Sequence, residues 1–225
     1  PSSAASDVYK RQVKALHNRK IEVYALLGAV EWGYEEDGAT LLAHLEKIVQ
    51  YNVQSSDKEK FDGVMLDIEP YISDSWKENP EEYMDRYISC MKKGYKFAQK
   101  NHLRTAICIP RHYDNQGLTS GLEELIKETC DEVAVMNYSC GNEIEAIRTE
   151  AALSEKYGKE LHCILEFQEV GKHGLTENKT YRNKGIDNAK ETWEKLQKEY
   201  KNINVTRDYH WSRPVREMLE EKNAD

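Results

Sequence analysis

Apolar positions along the chain fall into two alternating spacings. Short β-branched or aliphatic runs predict strands in "IEVYALLGA" (residues 21–29), "DGVMLDIE" (62–69), "RTAICIP" (104–110), "EVAVMNYS" (132–139), "LHCILEFQE" (161–169) and "NVTRDYHW" (204–211). Between them the spacing changes to three and four. In "TLLAHLEKIVQYNV" (40–53), Leu41, Leu45, Ile48 and Val49 share one helical face. Helices are also predicted over 13–17, 80–100, 121–130, 142–158, 185–200 and 213–222. Pro80 and two glutamates suit the start of one of them, and Gly158 closes another.

Six strand-plus-helix units with no linker between them imply parallel strands with helices outside, an α/β class. Two architectures fit. No Gly-x-Gly-x-x-Gly follows a first strand, which removes the simplest case for a dinucleotide-binding sheet. Acidic and aromatic residues gather instead at the carboxyl ends of several strands, where α/β barrels build their sites. The expectation is an incomplete (β/α)8 TIM barrel lacking its first two units.

The strand over 62–69 is unusual. Side chains alternate faces, so Val64, Leu66 and Ile68 share one face and Met65, Asp67 and Glu69 the other. The first face is aliphatic, as a helix-covered face should be. The second turns acidic toward its end, with α-carbons roughly 6.6 Å apart along the strand. Pro70 cannot donate a ladder hydrogen bond, so pairing should stop near Glu69. Two carboxylates at a barrel mouth suit acid–base chemistry, because like charge raises the pKa of a carboxyl and a general acid near neutrality needs that.

Composition narrows the partners. Over 225 residues the formal net charge is −8, which argues against a nucleic-acid partner. No apolar run approaches the ~20 residues that span a bilayer. Cys90, Cys108, Cys130, Cys140 and Cys163 are odd in number and show no Cys-x-x-Cys spacing, so buried free thiols are expected, with neither a disulfide framework nor a zinc site. No His-Glu-x-x-His or paired-histidine spacing is present; His112 and His162 read as ordinary hydrogen-bonded residues, and no metal or cofactor is expected. "SDVYKRQ" (6–12) resembles one translated frame of the transposon-end adapter used to prepare sequencing libraries. Residues 1–12 are therefore expected to be foreign, with 13–225 forming the barrel domain and the native N-terminus, with any signal peptide, lying outside this sequence.

The stretch Asp62-Gly63-Val64-Met65-Leu66-Asp67-Ile68-Glu69 resembles the Asp-Gly-x-Asp-x-Asp-x-Glu motif of glycoside hydrolase family 18, the chitinase-like barrels. It matches the first Asp, the Gly, the last Asp and the Glu, while Met65 replaces the middle Asp. Met136-Asn137-Tyr138-Ser139 is similar to that family's Met-x-Tyr-Asp, with Ser139 in place of Asp. Trp211 matches a tryptophan often found on the last strand. The resemblance implies hydrolysis of a β-linked, N-acetylated sugar chain assisted by the substrate itself. Glu69 would be the general acid, Asp67 would orient the acetamido group that attacks the anomeric carbon, and Tyr138 would hydrogen-bond it. Asn137, Glu166, Gln168, Tyr71 and Trp211 are candidate substrate-binding residues.

Two alternatives stand beside this. Glu69-Pro70 on one strand and Glu166 on a later one also resemble the retaining barrel glycosidases, with Glu69 as acid/base and Glu166 as nucleophile; that clan normally has Asn where Ile68 stands. Loss of two family acids also fits an inactive carbohydrate-binding relative. Simpler roles compete for single residues. Glu166 could pair with Arg111, Tyr138 could merely pack, and Met65 and Met136 fill space. Trp32, Tyr34 and Trp76 suit loop packing, and Trp193 has helical spacing with Leu196, as a core residue would.

Overall fold

The computed structural model describes residues 3–224. The chain divides into two compact units, Pro1–Cys108 with Ser120–Asp131, and Ile109–Thr119 with Glu132–Asp225. In the first, α1 (Ser3–His17) leads to β1 (Tyr24–Leu27), α2 (Ala39–Val53) and β2 (Gly63–Leu66). Then come α3 (Asp74–Glu78), α4 (Pro80–Lys100), β3 (Arg104–Pro110) and α5 (Thr119–Glu128). In the second, β4 (Glu132–Met136), α6 (Glu143–Ala146), α7 (Arg148–Tyr157), β5 (Glu160–Glu166), α8 (Ile186–Glu199), β6 (Val205–His210) and α9 (Ser212–Ala224) follow.

Strands succeed one another in chain order, each followed by a helix. The pairings β1–β2, β2–β3, β4–β5 and β5–β6 are all parallel. This is the α/β arrangement that the alternating spacings require, and it agrees with part of a (β/α) barrel. Among the described residues no helix is long and apolar enough to cross a membrane.

Each unit has its own core. In the first, Val64, Leu66 and Ile68 are all but inaccessible, as are Leu41 and Leu45 of α2 and Tyr87, Ile88 and Met91 of α4. In the second, α8 buries Ile186, Ala189, Trp193 and Leu196 at three- and four-residue intervals. The Trp193 indole donates to the Cys163 carbonyl at 2.9 Å, and its ring lies 4.7 Å from that of Tyr209. Trp193 is core, as its spacing predicts, and its loss to alanine should cost ~3–5 kcal/mol. Cys90, Cys108, Cys130 and Cys163 are buried free thiols; Cys140 is half-buried and also free.

Several elements depart from expectation for local reasons. The strand expected over 62–69 ends at Leu66, because Pro70 opens a 3-10 turn over Pro70–Ile72. The Asp67 N–H still donates to the Leu27 carbonyl at 2.8 Å, so backbone pairing outlasts the regular strand. The helix expected over 142–158 breaks at Ile147 (φ −125°, ψ 18°), whose side chain is fully buried. The unforeseen α3 starts where the Ser73 hydroxyl accepts from the Trp76 N–H, and it buries Trp76. Finally, α1 begins at Ser3 and runs through residue 12 without a break.

Candidate active site

In the first unit, Asp67, Glu69 and Tyr71 come together just past the carboxyl end of β2. The alternation continues beyond the regular strand: Ile68 is 1% exposed, whereas Asp67 and Glu69 on the other face are only partly covered. The Tyr71 hydroxyl donates a short hydrogen bond to Glu69 Oε2. Tyr71 is thus an immediate partner of the carboxylate expected to move a proton.

Two glycines let the preceding loop close on this segment. A Cβ on Gly28 would lie 1.8 Å from the Asp67 carbonyl oxygen, and one on Gly33 2.9 Å from Pro70 Cβ. The Tyr34 hydroxyl reaches the Pro70 carbonyl at 3.4 Å. The Cys90 thiol lies against the Trp32 carbonyl at 3.2 Å, and the Trp32 ring lies tilted 4.4 Å from that of His44. These loop aromatics therefore pack, as the simpler reading has it.

Asp62, the first acid of the resemblance, lies at the other end of β2. Its Oδ2 accepts from the Val23 N–H at 2.7 Å and pairs with His17 Nε2 at 2.9 Å. It ties α1 and the start of β1 to the base of β2.

In the second unit, Glu166 ends β5 opposite His210 on β6. Its side chain is 2% exposed. Oε1 accepts from the Phe167 and Gln168 N–H groups at 2.8 and 2.7 Å. Oε2 lies 2.8 Å from His210 Nδ1 and 3.1 Å from Gln168 Nε2. Burial alone would raise its pKa, but His210 and the Gln168 donors outweigh it, so the carboxyl is held below its ordinary value. A carboxylate has about four lone-pair positions, and all are used. Glu166 pairs with His210, not with Arg111.

Tyr138, two residues past β4, stacks on the His210 ring with centroids 6.0 Å apart. His210 thus joins Tyr138 to Glu166. His210 lies in the run that predicts the last strand, where its parity with Thr206 and Asp208 was the available signal. Trp211 is 46% exposed, and its peptide bond to His210 is cis. Gln168 and Trp211 share the wall of a small cavity, about 110 Å³, with Arg182 and Pro214.

Asn137, a candidate for substrate binding, is buried beside Tyr138. It is 1% exposed, and its Nδ2 donates to the Glu143 carbonyl at 2.9 Å and meets Cys163 Sγ at 3.5 Å. Strand alternation turns it away from the face of Met136 and Tyr138, toward the α6 segment. A larger cleft of about 620 Å³, lined by Glu143, Tyr181 and one side of α8, holds none of the expected site residues.

No family model matches the chain, and no curated protein matches it. Among solved structures it is similar to catalytic domain 2 of the Group II chitinase of Ostrinia furnacalis. A mutant of that domain in complex with penta-N-acetylchitooctaose gives a TM-score of 0.45, and the domain described without ligand 0.43. Identity is 14% in both, over 76% of this chain, which spans 53% of theirs. At that distance the likeness assigns no activity to this chain.

Proposed function

We propose that the protein is a glycoside hydrolase acting on a β-linked, N-acetylated sugar chain, with Glu69 as general acid. The observation that carries this reading is the pair Asp67 and Glu69 on one face past the end of β2, with the Tyr71 hydroxyl bonded to Glu69. Glu69 gives its proton to the glycosidic oxygen as the bond to the anomeric carbon breaks. The acetamido oxygen of the substrate forms the new bond to that carbon, and the ring it closes carries positive charge. Asp67 orients the acetamido group and offsets that charge. Water then opens the intermediate, with Glu69 taking the proton back. The Tyr71 hydroxyl holds the Glu69 carboxyl in place. The domain is taken as residues 13–225, and removal of 1–12 should leave turnover unchanged.

Glu166 separates this route from a retaining one. A nucleophile needs an open lone pair, and the four donors around Glu166 leave none. The decisive experiment uses aryl glycosides of β-linked N-acetylglucosamine oligomers. Glu69→Gln should lower kcat by about 10²–10⁴ with the fold intact. A trapped glycosyl adduct on Glu166 would transfer the reaction to the retaining route. Glycan binding without hydrolysis by the unmodified protein would leave a carbohydrate-binding protein.

A further inference from the structure

A second cluster of ionisable groups lies on the same face of β4, β5 and β6 as Glu166, toward the other ends of the strands. Glu132 of β4 is directly paired with Glu160 of β5. Like charges set opposite each other across a sheet are destabilising. His162, two residues along β5, is on the face of Glu160, and its β4 neighbour is the small Ala134. Asp208 comes from β6, paired with Ile164. Three adjacent strands thus contribute one imidazole and three carboxylates, in a register no single segment displays.

The surroundings of His162 would suit a metal ligand. Its Nδ1 faces Asp208, with both carboxylate oxygens at 3.1 Å. A metal-binding histidine almost always gives its second ring nitrogen to such a carboxylate, which fixes the tautomer and the ring plane. Its Nε2 points the other way, 2.9 Å from Glu132 Oε2. Two donors bound to one ion at ~2.1 Å and near a right angle lie about 3 Å apart. Donor atoms of Glu132, Glu160 and His162 all lie within 4.8 Å of one another. Glu132 is 4% exposed, so its carboxylate is withheld from solvent, and Glu160 is held by the Thr206 hydroxyl at 3.3 Å.

We propose that Glu132, Glu160 and His162 bind one divalent transition-metal ion, with Asp208 positioning the His162 ring. One nitrogen and two carboxylates suit Zn²⁺, Mn²⁺ or Fe²⁺ over Ca²⁺ and Mg²⁺, which take oxygen ligands. The ion replaces the proton between His162 Nε2 and Glu132, which leaves to water. This site revises the expectation of no metal, since no short-range histidine spacing reveals it. It does not depend on the proposed glycosidase chemistry, because Asp67 and Glu69 are no part of it.

The test uses the untagged full chain, stripped with chelator and titrated with Zn²⁺ and with Mn²⁺ by calorimetry at pH 8. The expected result is one ion per chain, with proton release seen as a dependence of the heat on buffer. His162→Gln and Glu160→Gln should each weaken binding at least tenfold, and Asp208→Asn by about 10–100-fold. Co²⁺ provides a spectrum as a second readout, and its visible bands should vanish in Glu160→Gln. Glu160 is only half-buried, so that variant keeps the test decisive if the histidine variant fails to fold. Binding unchanged in both variants, or no binding to the unmodified chain, would overturn the site and leave His162 as a proton-bridged strut.

Discussion

Glu69 and Glu166 are the same residue at the same kind of place, the carboxyl end of a parallel strand, yet their surroundings differ. Glu69 is partly covered, and a phenol reaches one of its oxygens. Glu166 is sealed, with two backbone amides, an imidazole and an amide side chain directed at it. A general acid must exchange its proton with substrate, which a carboxylate with every lone pair occupied cannot do without first breaking bonds. The contrast separates a partly open carboxylate from one whose bonds hold a strand end together.

The largest expected effect tests that separation. Glu69→Gln should lower turnover of β-linked N-acetylglucosamine substrates by about 10²–10⁴ while shifting the unfolding midpoint little. Glu166→Ala should do the reverse. It removes the acceptor of the Gln168 N–H, Gln168 Nε2 and His210 Nδ1, while the Phe167 N–H keeps the His210 carbonyl at 3.2 Å, and stability should fall by about 2–4 kcal/mol in denaturant titration. A matched pair of turnover and unfolding curves checks both. Should Glu166→Ala abolish turnover without loss of stability, the two acids would have to exchange roles. The pH dependence has a definite sign. A carboxyl whose folded pKa lies below its ordinary 4.5 stabilises above 4.5 and loses that contribution as pH falls through the folded pKa. Glu166→Gln should flatten that acid limb.

The fold was legible because its signals are local. Alternation at 62–69 predicted which residues are buried, and Val64, Leu66 and Ile68 are all inaccessible. The spacing of Trp193 and Leu196 likewise marked a buried helix face. The sites were legible only in part. Asp67 and Glu69 stood out because acids interrupt an apolar run. Asn137 adjoins Tyr138 in sequence but faces the opposite side of the strand. The partnership of His210 with Glu166, and of His162 with Glu132 and Asp208, depends on the register of separate strands. Nothing within one strand encodes that register.

A smaller effect, of opposite sign, comes from α7. Glu150 is fully buried, and among the described residues no other residue donates a hydrogen bond to its carboxylate. Burial raises its pKa most. Its own backbone N–H opposes the shift, Asp114 adds to it and Arg111 opposes it, leaving the pKa at about 7. The sign is opposite to that of Glu166. Stability is greatest below 4.5, where the acid is protonated folded or unfolded, and falls as pH rises from 4.5 through about 7. Glu150→Gln removes the buried charge. It should raise stability by about 1–3 kcal/mol at pH 8 and by little at pH 4. Equal stabilities of the two proteins at pH 8 would show that Glu150 is solvated or paired.

The smallest effect concerns Tyr71, and it sharpens the contrast most. If Glu69 is open to substrate, its one short bond to Tyr71 must hold the carboxyl in place while leaving the other oxygen available. Tyr71→Phe keeps the ring and removes only the hydroxyl. The partly exposed position predicts a stability change within about 1 kcal/mol, since a net hydrogen bond contributes roughly that much. Its loss should appear in kcat, lowered about three- to tenfold, with KM nearly unchanged, because the phenol orients the acid without binding the sugar's remote parts. Combined with Glu69→Gln, the Phe substitution should add almost nothing to the loss, since the group it orients no longer donates a proton. Multiplicative losses in the double variant would mean that Tyr71 acts on the sugar directly, and its hydroxyl would then belong to the binding surface and not to the acid.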